Sequence, residues 1–220
     1  NLVYDYPVHW SEFKVLRDLI QNFFDAASYR SFDERFNYEI INGKLYLIST
    51  DVDFSYDWLI PMGASTKRDD SGDYAGYFGE GFKIASLCAI RDHGWKIKLL
   101  SRNWGLMVTT ASLNVDGQNL SSLAYNVWKL EKQSPDTVMT ITPFFDEDMI
   151  KTVIYSFYYP ANPLLGEKIW ETSREAVFFR SNKSKPDNYP KTFDYSGSGI
   201  IFAGFQALGS FPFPLVFCLN

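Results

Sequence analysis

The hydrophobic period of this chain changes near residue 94, and that change constrains the fold more than any other feature. Before it, apart from one early hairpin, apolar residues recur at helical spacing; after it they alternate. Leu16, Leu19, Ile20, Phe23 and Ala27 mark a helix over residues 11 to 29, with Ser11 as its N-cap. Glu80 to Arg91 reads as a second helix, ended near Gly94. Beyond it, Lys96 to Ser101, Leu106 to Leu113, Ser122 to Lys132 and Thr137 to Pro143 predict strands in hairpin order. Ala176 to Arg180, Gly199 to Phe205 and Leu215 to Leu219 predict further strands. The early hairpin is Ile40-Ile-Asn-Gly43 followed by Lys44 to Ser49. A short helix is expected at Asp57 to Met62, while 146–157 and 167–175 show no clear period. Helices first and strands later argue for an α+β sandwich of one sheet and one helical layer.

Composition bounds the function classes. The chain has 220 residues, enough for one domain or two small ones. A hydrophobic share of 46% and an aromatic share of 18% exclude disorder. The net charge of −5 lacks the basic excess of a nucleic-acid binder, so nucleic acid is not indicated as a partner. Cys88 and Cys218 both sit in apolar runs and read as buried free thiols in a reducing compartment. No apolar run approaches about 18 residues and no charged, apolar leader opens the chain, so no membrane partner and a cytoplasmic location are expected. The start at Asn1 and the strand-like end read as a fragment of a longer protein. His9 and His93 lack metal-ligand spacing, and the tryptophans scatter as core and edge residues.

Three features carry chemistry. Asp18, Asn22 and Asp25 fall within roughly 60° of one another on the first helix, at 100° per residue. This face carries carboxylate, amide and carboxylate; taken alone it is a solvated face, although Asn and Asp are poor helix-interior residues. Asp51-Val-Asp53-Phe-Ser55 directly follows a strand, where an aspartate can accept a hydrogen bond from an amino group or simply make a turn. Gly76-Tyr77-Phe78-Gly79-Glu80-Gly81-Phe82-Lys83 leads into the second helix. Its glycines let backbone approach an anion, and a helix N-terminus presents free N–H groups. The order G-x-x-G-x-G is neither a Walker A loop nor the dinucleotide fingerprint.

In this order the three features resemble the GHKL (Bergerat-fold) ATPases, which include heat-shock chaperone ATPase domains, gyrase B, MutL, the MORC proteins and histidine-kinase catalytic domains. Asp18 to Ala26 is similar to the family's E-x-x-x-N-x-x-D-A box, and Asp51 to Ser55 to a degraded D-x-G-x-G box. Gly63-Ala-Ser65-Thr66-Lys67-Arg68 resembles the G-x-S-x-K start of the ATP lid, and Gly76 to Lys83 its G-x-x-G-x-G box. Asp136-Thr137-Val-Met-Thr140-Ile141 resembles the late G-T-x-V-x-I strand. The likeness spans about 10–145. It implies a single ATP-binding domain over 1–220, with a mixed, mostly antiparallel sheet and helices on one face, and leaves a strand-rich extension over 146–220 that either completes the sandwich or begins a following domain.

The resemblance implies ATP and Mg²⁺ as ligands. Asn22 would hold Mg²⁺ through its amide oxygen, with Asp25 beside it. Asp51, or else Asp53, would accept the adenine amino group with help from Thr137; Asp51 is preferred because it directly follows the strand. Gly76, Tyr77, Phe78, Gly79, Glu80, Gly81, Phe82 and Lys83 would form the phosphate loop, covered by Gly63, Ser65, Thr66 and Lys67. Asp18 stands where the family has the glutamate that activates water, and it is one methylene shorter. Two readings follow: a slow Mg-dependent ATPase whose nucleotide state drives a conformational or dimerisation switch, or a nucleotide-binding module with little turnover. The partners expected are ATP, a second copy of the chain, or a downstream domain. A β-sandwich ligand module using exposed aromatics accounts for the composition but not for the ordered motifs.

Overall fold

The computed structural model describes residues 2–52, 54, 81–115, 117–180 and 199–219, and every structural statement below concerns these. The helix expected at Asp57 to Met62 lies outside them. So do Asp53, Gly63, Ser65, Thr66, Lys67, Gly76, Tyr77, Phe78, Gly79 and Glu80.

Helix α1 (Glu12–Ala27) begins at Ser11, whose hydroxyl accepts from the Lys14 N–H at 3.3 Å. Val15, Leu16, Leu19, Ile20, Phe23 and Ala27 form its buried stripe, and burying side chains of this size contributes about 1.5–3 kcal/mol each before entropy is counted. A single turn, α2 (Phe32–Arg35), leads into β1 (Phe36–Ile41) and β2 (Lys44–Thr50). Asn42 and Gly43, at φ 50° and 71°, give this hairpin the left-handed turn that matches strand twist. Then follow α3 (Gly81–His93), β3 (Lys96–Ser101), β4 (Trp104–Val115), β5 (Gln118–Lys129) and β6 (Asp136–Thr142). Helix α4 (Glu147–Tyr155) is capped by Asp146, whose carboxylate accepts from the Met149 N–H at 2.9 Å. The chain continues through β7 (Glu167–Glu171), β8 (Glu175–Phe179), β9 (Gly199–Ala203), β10 (Gln206–Phe211) and β11 (Leu215–Leu219).

The first sheet runs β1-β2-β6-β3-β4-β5 with every neighbouring pair antiparallel. Its central strands alternate strictly. Leu45, Leu47 and Ser49 of β2, Thr137, Met139 and Ile141 of β6, and Ile97, Leu99 and Ser101 of β3 are all buried. This one face takes the helices: α1 meets β1 and β2, α3 meets β3, and α1 meets α3 and α4.

The late strands, expected either to complete the sandwich or to begin a following domain, form a sheet of their own. Strands β10-β9-β11-β8-β7 form a second, five-stranded sheet in which β9 and β11 pair in parallel. Parallel pairing requires a crossover connection rather than a hairpin, which the chain makes between β9 and β11 by way of β10. The two units share one hydrophobic cluster. Phe24 of α1 stacks on Phe157 at 4.9 Å, Tyr29 lies 4.8 Å from Phe205, and Gln206 Nε2 donates to Gln21 Oε1 at 2.9 Å.

Ahead of α1, the segment from Leu2 lies along β5: Tyr4 N–H donates to Ser121 O and Leu123 N–H to Leu2 O, each at 2.8 Å. Arg91 at the end of α3 clamps this segment. Its guanidinium donates to the carbonyls of Tyr4 at 2.9 Å, Tyr6 at 2.8 Å and Val8, and holds the Asp92 carboxylate at 2.7 and 2.9 Å. Among the described residues no helix is long and apolar enough to cross a membrane.

Candidate functional site

The polar face of α1 does not face water. Asp18 has a side chain only 16% exposed, Asn22 is half-buried, and Asp25 is 6% exposed. The face turns toward the start of α3. A methyl carbon placed on Gly81 would lie 3.1 Å from Asp18 Oδ1. That is tighter than ordinary van der Waals contact, so glycine is what lets the two helices approach here. Two of the three sequence features therefore meet: the Asp18–Asn22–Asp25 face and the end of the glycine segment.

The donors are distinct. Asn22 Nδ2 donates to the Asp18 carbonyl at 2.8 Å and to the Leu19 carbonyl at 3.4 Å. With its nitrogen committed to the backbone, the amide offers its oxygen, the atom type that hard divalent cations take. Asp18 Oδ2 lies 3.6 Å from Arg17 Nη2. Lys83, two residues into α3, is 5% exposed and is partnered, as are Asp18 and Asp25. An ammonium in the first turn opposes the helix dipole, so its burial requires such a partner. Phe82 packs near Tyr125 of β5, ring centroids 6.2 Å apart. The Tyr125 hydroxyl is buried without a hydrogen bond, and burial pushes its pKa up.

The segment after β2 crosses the end of the sheet rather than leaving it. Asp51 sits in the left-handed region at φ 55° and is exposed, while Val52 and Phe54 are buried at 4% and 8%. A chain of hydroxyls holds this segment. Thr137 Oγ1 donates its one proton to the Val52 carbonyl at 2.7 Å, so Ser101 Oγ must donate to Thr137 Oγ1 at 2.7 Å. The Phe54 N–H donates to Ser101 Oγ at 3.1 Å, and Trp104 Nε1 donates to the Phe54 carbonyl at 2.9 Å. Phe54 then packs on Phe23 of α1, centroids 5.0 Å apart, one residue from Asn22. Thr137 thus lies at the sheet end beneath α1, fully buried.

Ser49 escaped the sequence reading. It pairs with Thr137 across β2 and β6, and Thr137 pairs with Ser101 across β6 and β3. All three have 0% exposure, so three hydroxyls form one row on the helix-facing side. Ser49 Oγ has no hydrogen-bond partner. The available signal was the alternation of β2, which places Leu45, Leu47 and Ser49 on one face and leaves one polar residue in the core.

Among the described residues no cluster of three or more His, Cys, Asp or Glu is arranged to hold a metal ion. His93 Nε2 is bonded to the Trp10 carbonyl at 2.7 Å, and His9 Nδ1 to Asp92 Oδ2 at 3.1 Å.

By sequence, no protein-family model matches the chain, and no curated protein is similar to it. Among solved structures, it is similar to the B subunit of DNA gyrase from Myxococcus xanthus, with 10% identity and a TM-score of 0.36. That match covers 87% of this chain and less than two thirds, 66%, of the gyrase chain.

Proposed function

We propose that this chain is a GHKL-type (Bergerat-fold) domain that binds ATP with Mg²⁺ and hydrolyses it slowly. One observation carries the reading: the carboxylate–amide face of α1 is turned inward onto the first turn of α3, with Asp18 Oδ1 3.1 Å from where a side chain on Gly81 would begin. A merely solvated helix face has no reason to be buried there. A glycine at a helix start beside an amide and a carboxylate supports phosphate binding, because free N–H groups and the helix dipole favour an anion.

The residues present fit the ligands. The amide oxygen of Asn22 would hold Mg²⁺, whose chemistry there is to neutralise phosphate charge. The backbone N–H groups at the α3 N-terminus would face the phosphates, and Lys83 would add positive charge in the same turn. Asp18 orients or deprotonates the attacking water. In this reading the nucleotide state drives a conformational or dimerisation switch in a larger protein.

A second reading, binding with little turnover, is favoured by Arg17. Its guanidinium, 3.6 Å from Asp18 Oδ2, competes for the carboxylate that would take the proton. Steady-state phosphate release, measured beside ATP binding on the same sample, separates the two. Binding with turnover that falls in Asp18→Asn supports the ATPase. Binding with turnover at the nucleotide-only blank supports the module. No binding removes both.

A further inference from the structure

We infer that the outer face of the second sheet is an interface between two copies of this chain, packed sheet on sheet about a two-fold axis that runs along β11. The inference rests on the second sheet alone and is independent of the nucleotide-binding reading.

The strand sequences show that both faces are built for burial. A strand with one solvated face alternates, as Lys96-Ile-Lys98-Leu of β3 does; a strand covered on both faces reads as a continuous apolar run. β9 (Gly199-Ile-Ile-Phe-Ala203) and β11 (Leu215-Val-Phe-Cys-Leu219) hold only apolar residues and one cysteine, and β8 is wholly apolar after Glu175. One face lies in the core, where Phe178, Ile200, Phe202 and Val216 are buried. The register places the intervening residues on the other. Trp170, Val177, Phe217, Ile201 and Gly209 are successive partners in one row across all five strands, without a polar side chain among them. Trp170 is 47% exposed, and Phe179 and Leu219, in the rows on either side, are 42% and 46% exposed.

Charge and area select the occupant. A two-fold contact sets one patch against itself, so it suits a face with no charge at its centre. Among the described residues the charges on this face are Glu167 and Glu175, both on the β7–β8 side, and β9 and β10 hold none. A two-fold axis along β11 lays β7 and β8 of one copy over β10 and β9 of the other, so no carboxylate meets a carboxylate. An axis across the strands would stack β7 on β7 and bring the glutamates of the two copies together. Five strands at about 4.8 Å and five residues at about 3.4 Å give a flat footprint of about 400 Å² per copy. Over both copies, with the relief of the side chains, the buried area comes to about 1,000 Å², where specific interfaces begin. Sheets pack in this way about 10 Å apart with strands within about 30°. The edges do not offer the alternative: β7 carries Glu167, Lys168 and Glu171, and β10 is bulged between Ala207 and Gly209, both devices that block edge pairing.

The test is sedimentation equilibrium of the whole chain without nucleotide. Wild type is expected to dimerise with a dissociation constant on the order of micromolar. Association should tighten as salt is raised, because each copy carries a net charge of −5 and the contact contains no ion pair. Phe217, on the axis, lies nearest its own counterpart. Phe217→Glu and Phe217→Lys, with unchanged circular dichroism, should each weaken association at least about thirtyfold, and an equimolar mixture of the two should regain it. Phe179→Lys, at a more exposed position, supplies a second disruption where a charge at the half-buried Phe217 unfolds the sheet. Ile41→Lys, at a residue of the first sheet that is 49% exposed, should change nothing. Four results overturn the inference. Wild type that stays monomeric at about 100 µM removes the interface, and so does a dimer that survives both Phe217→Glu and Phe179→Lys. A dimer lost in Ile41→Lys moves the contact to the first sheet. A mixture of the two folded Phe217 variants that stays monomeric refutes the axis along β11. All four leave the nucleotide reading standing.

Discussion

Replacing Thr137 with valine probes the hydroxyl chain at the sheet end. Valine keeps the shape and exchanges Oγ1 for a methyl group, so packing at this fully buried position is preserved and only hydrogen bonding changes. Two groups are stranded. The Val52 carbonyl loses the donor it has at 2.7 Å, and the Ser101 hydroxyl loses the acceptor it has at 2.7 Å. A buried polar group left without its partner costs about 1–3 kcal/mol. Ser101 retains another interaction and still accepts from the Phe54 N–H, so its share sits at the lower end. The sum is about 2–4 kcal/mol. For a chain of this size, 1 kcal/mol shifts the melting temperature by about 2–4 °C, so Thr137→Val should melt about 4–16 °C lower. The assay is thermal unfolding followed by circular dichroism, with hydrogen exchange of the Phe54 amide as a local readout. That amide should exchange faster in the variant, because its anchor Ser101 has been loosened. A shift under about 2 °C with unchanged Phe54 protection would refute the claim that this chain of hydroxyls ties the segment after β2 to the sheet.

Asn22→Ala should lose Mg²⁺-dependent nucleotide binding while its melting temperature stays within a few degrees of wild type, because its two hydrogen bonds go to carbonyls of its own helix; a large loss of stability with unchanged affinity would make Asn22 structural. Asp18→Asn should keep nucleotide affinity and lower phosphate release by about 10²–10⁴-fold, and equal turnover in both proteins, well above the blank, would remove Asp18 from the mechanism. Asp18→Glu, which lengthens the side chain by one methylene, raises turnover if reach limits the base and lowers it if the contact with Gly81 leaves no room. The N-terminal clamp should be acid-labile: the Arg91 hydrogen bonds hold Asp92 down at about 2, against 3.8 for a free aspartate. A depressed carboxylate stabilises the fold above its unfolded pKa. That contribution, about 1 kcal/mol after solvent screening, is lost as pH falls through 3.8 toward 2, and Asp92→Asn should flatten this part of the stability–pH curve.

Much of the fold is legible in the sequence where local chemistry decides it. Ser11 caps α1 and the Leu16–Phe23 stripe is its buried face; Asn42-Gly43 makes the early turn; β3 and β11 span the residues that alternation marks. What is illegible is decided at long range. Strand β10 is bulged between Ala207 and Gly209 and lacks a clean alternation, so only its pairing with β9 defines it. The Thr152-Val-Ile154 run of α4 has strand character and becomes helical through its Asp146 cap and its packing on α1. At the site, residue types point to one helix face, but only tertiary structure turns that face inward onto Gly81. Asp51 follows the strand as the spacing indicates, yet its left-handed backbone leaves it exposed, while Ser49, an unremarkable strand residue in sequence, acquires its meaning from the register with Thr137.

The central claim is that the inward face of α1 and the start of α3 form a Mg-nucleotide site. Its most direct test is calorimetric titration of the whole chain with a non-hydrolysable ATP analogue, with and without Mg²⁺, alongside Asn22→Ala. The account predicts saturable binding with one nucleotide per chain, tighter with Mg²⁺, and loss of that Mg²⁺ dependence in Asn22→Ala. A folded wild-type sample that takes up no nucleotide at millimolar concentration, or that binds equally with and without Mg²⁺ and with and without the Asn22 amide, would contradict it.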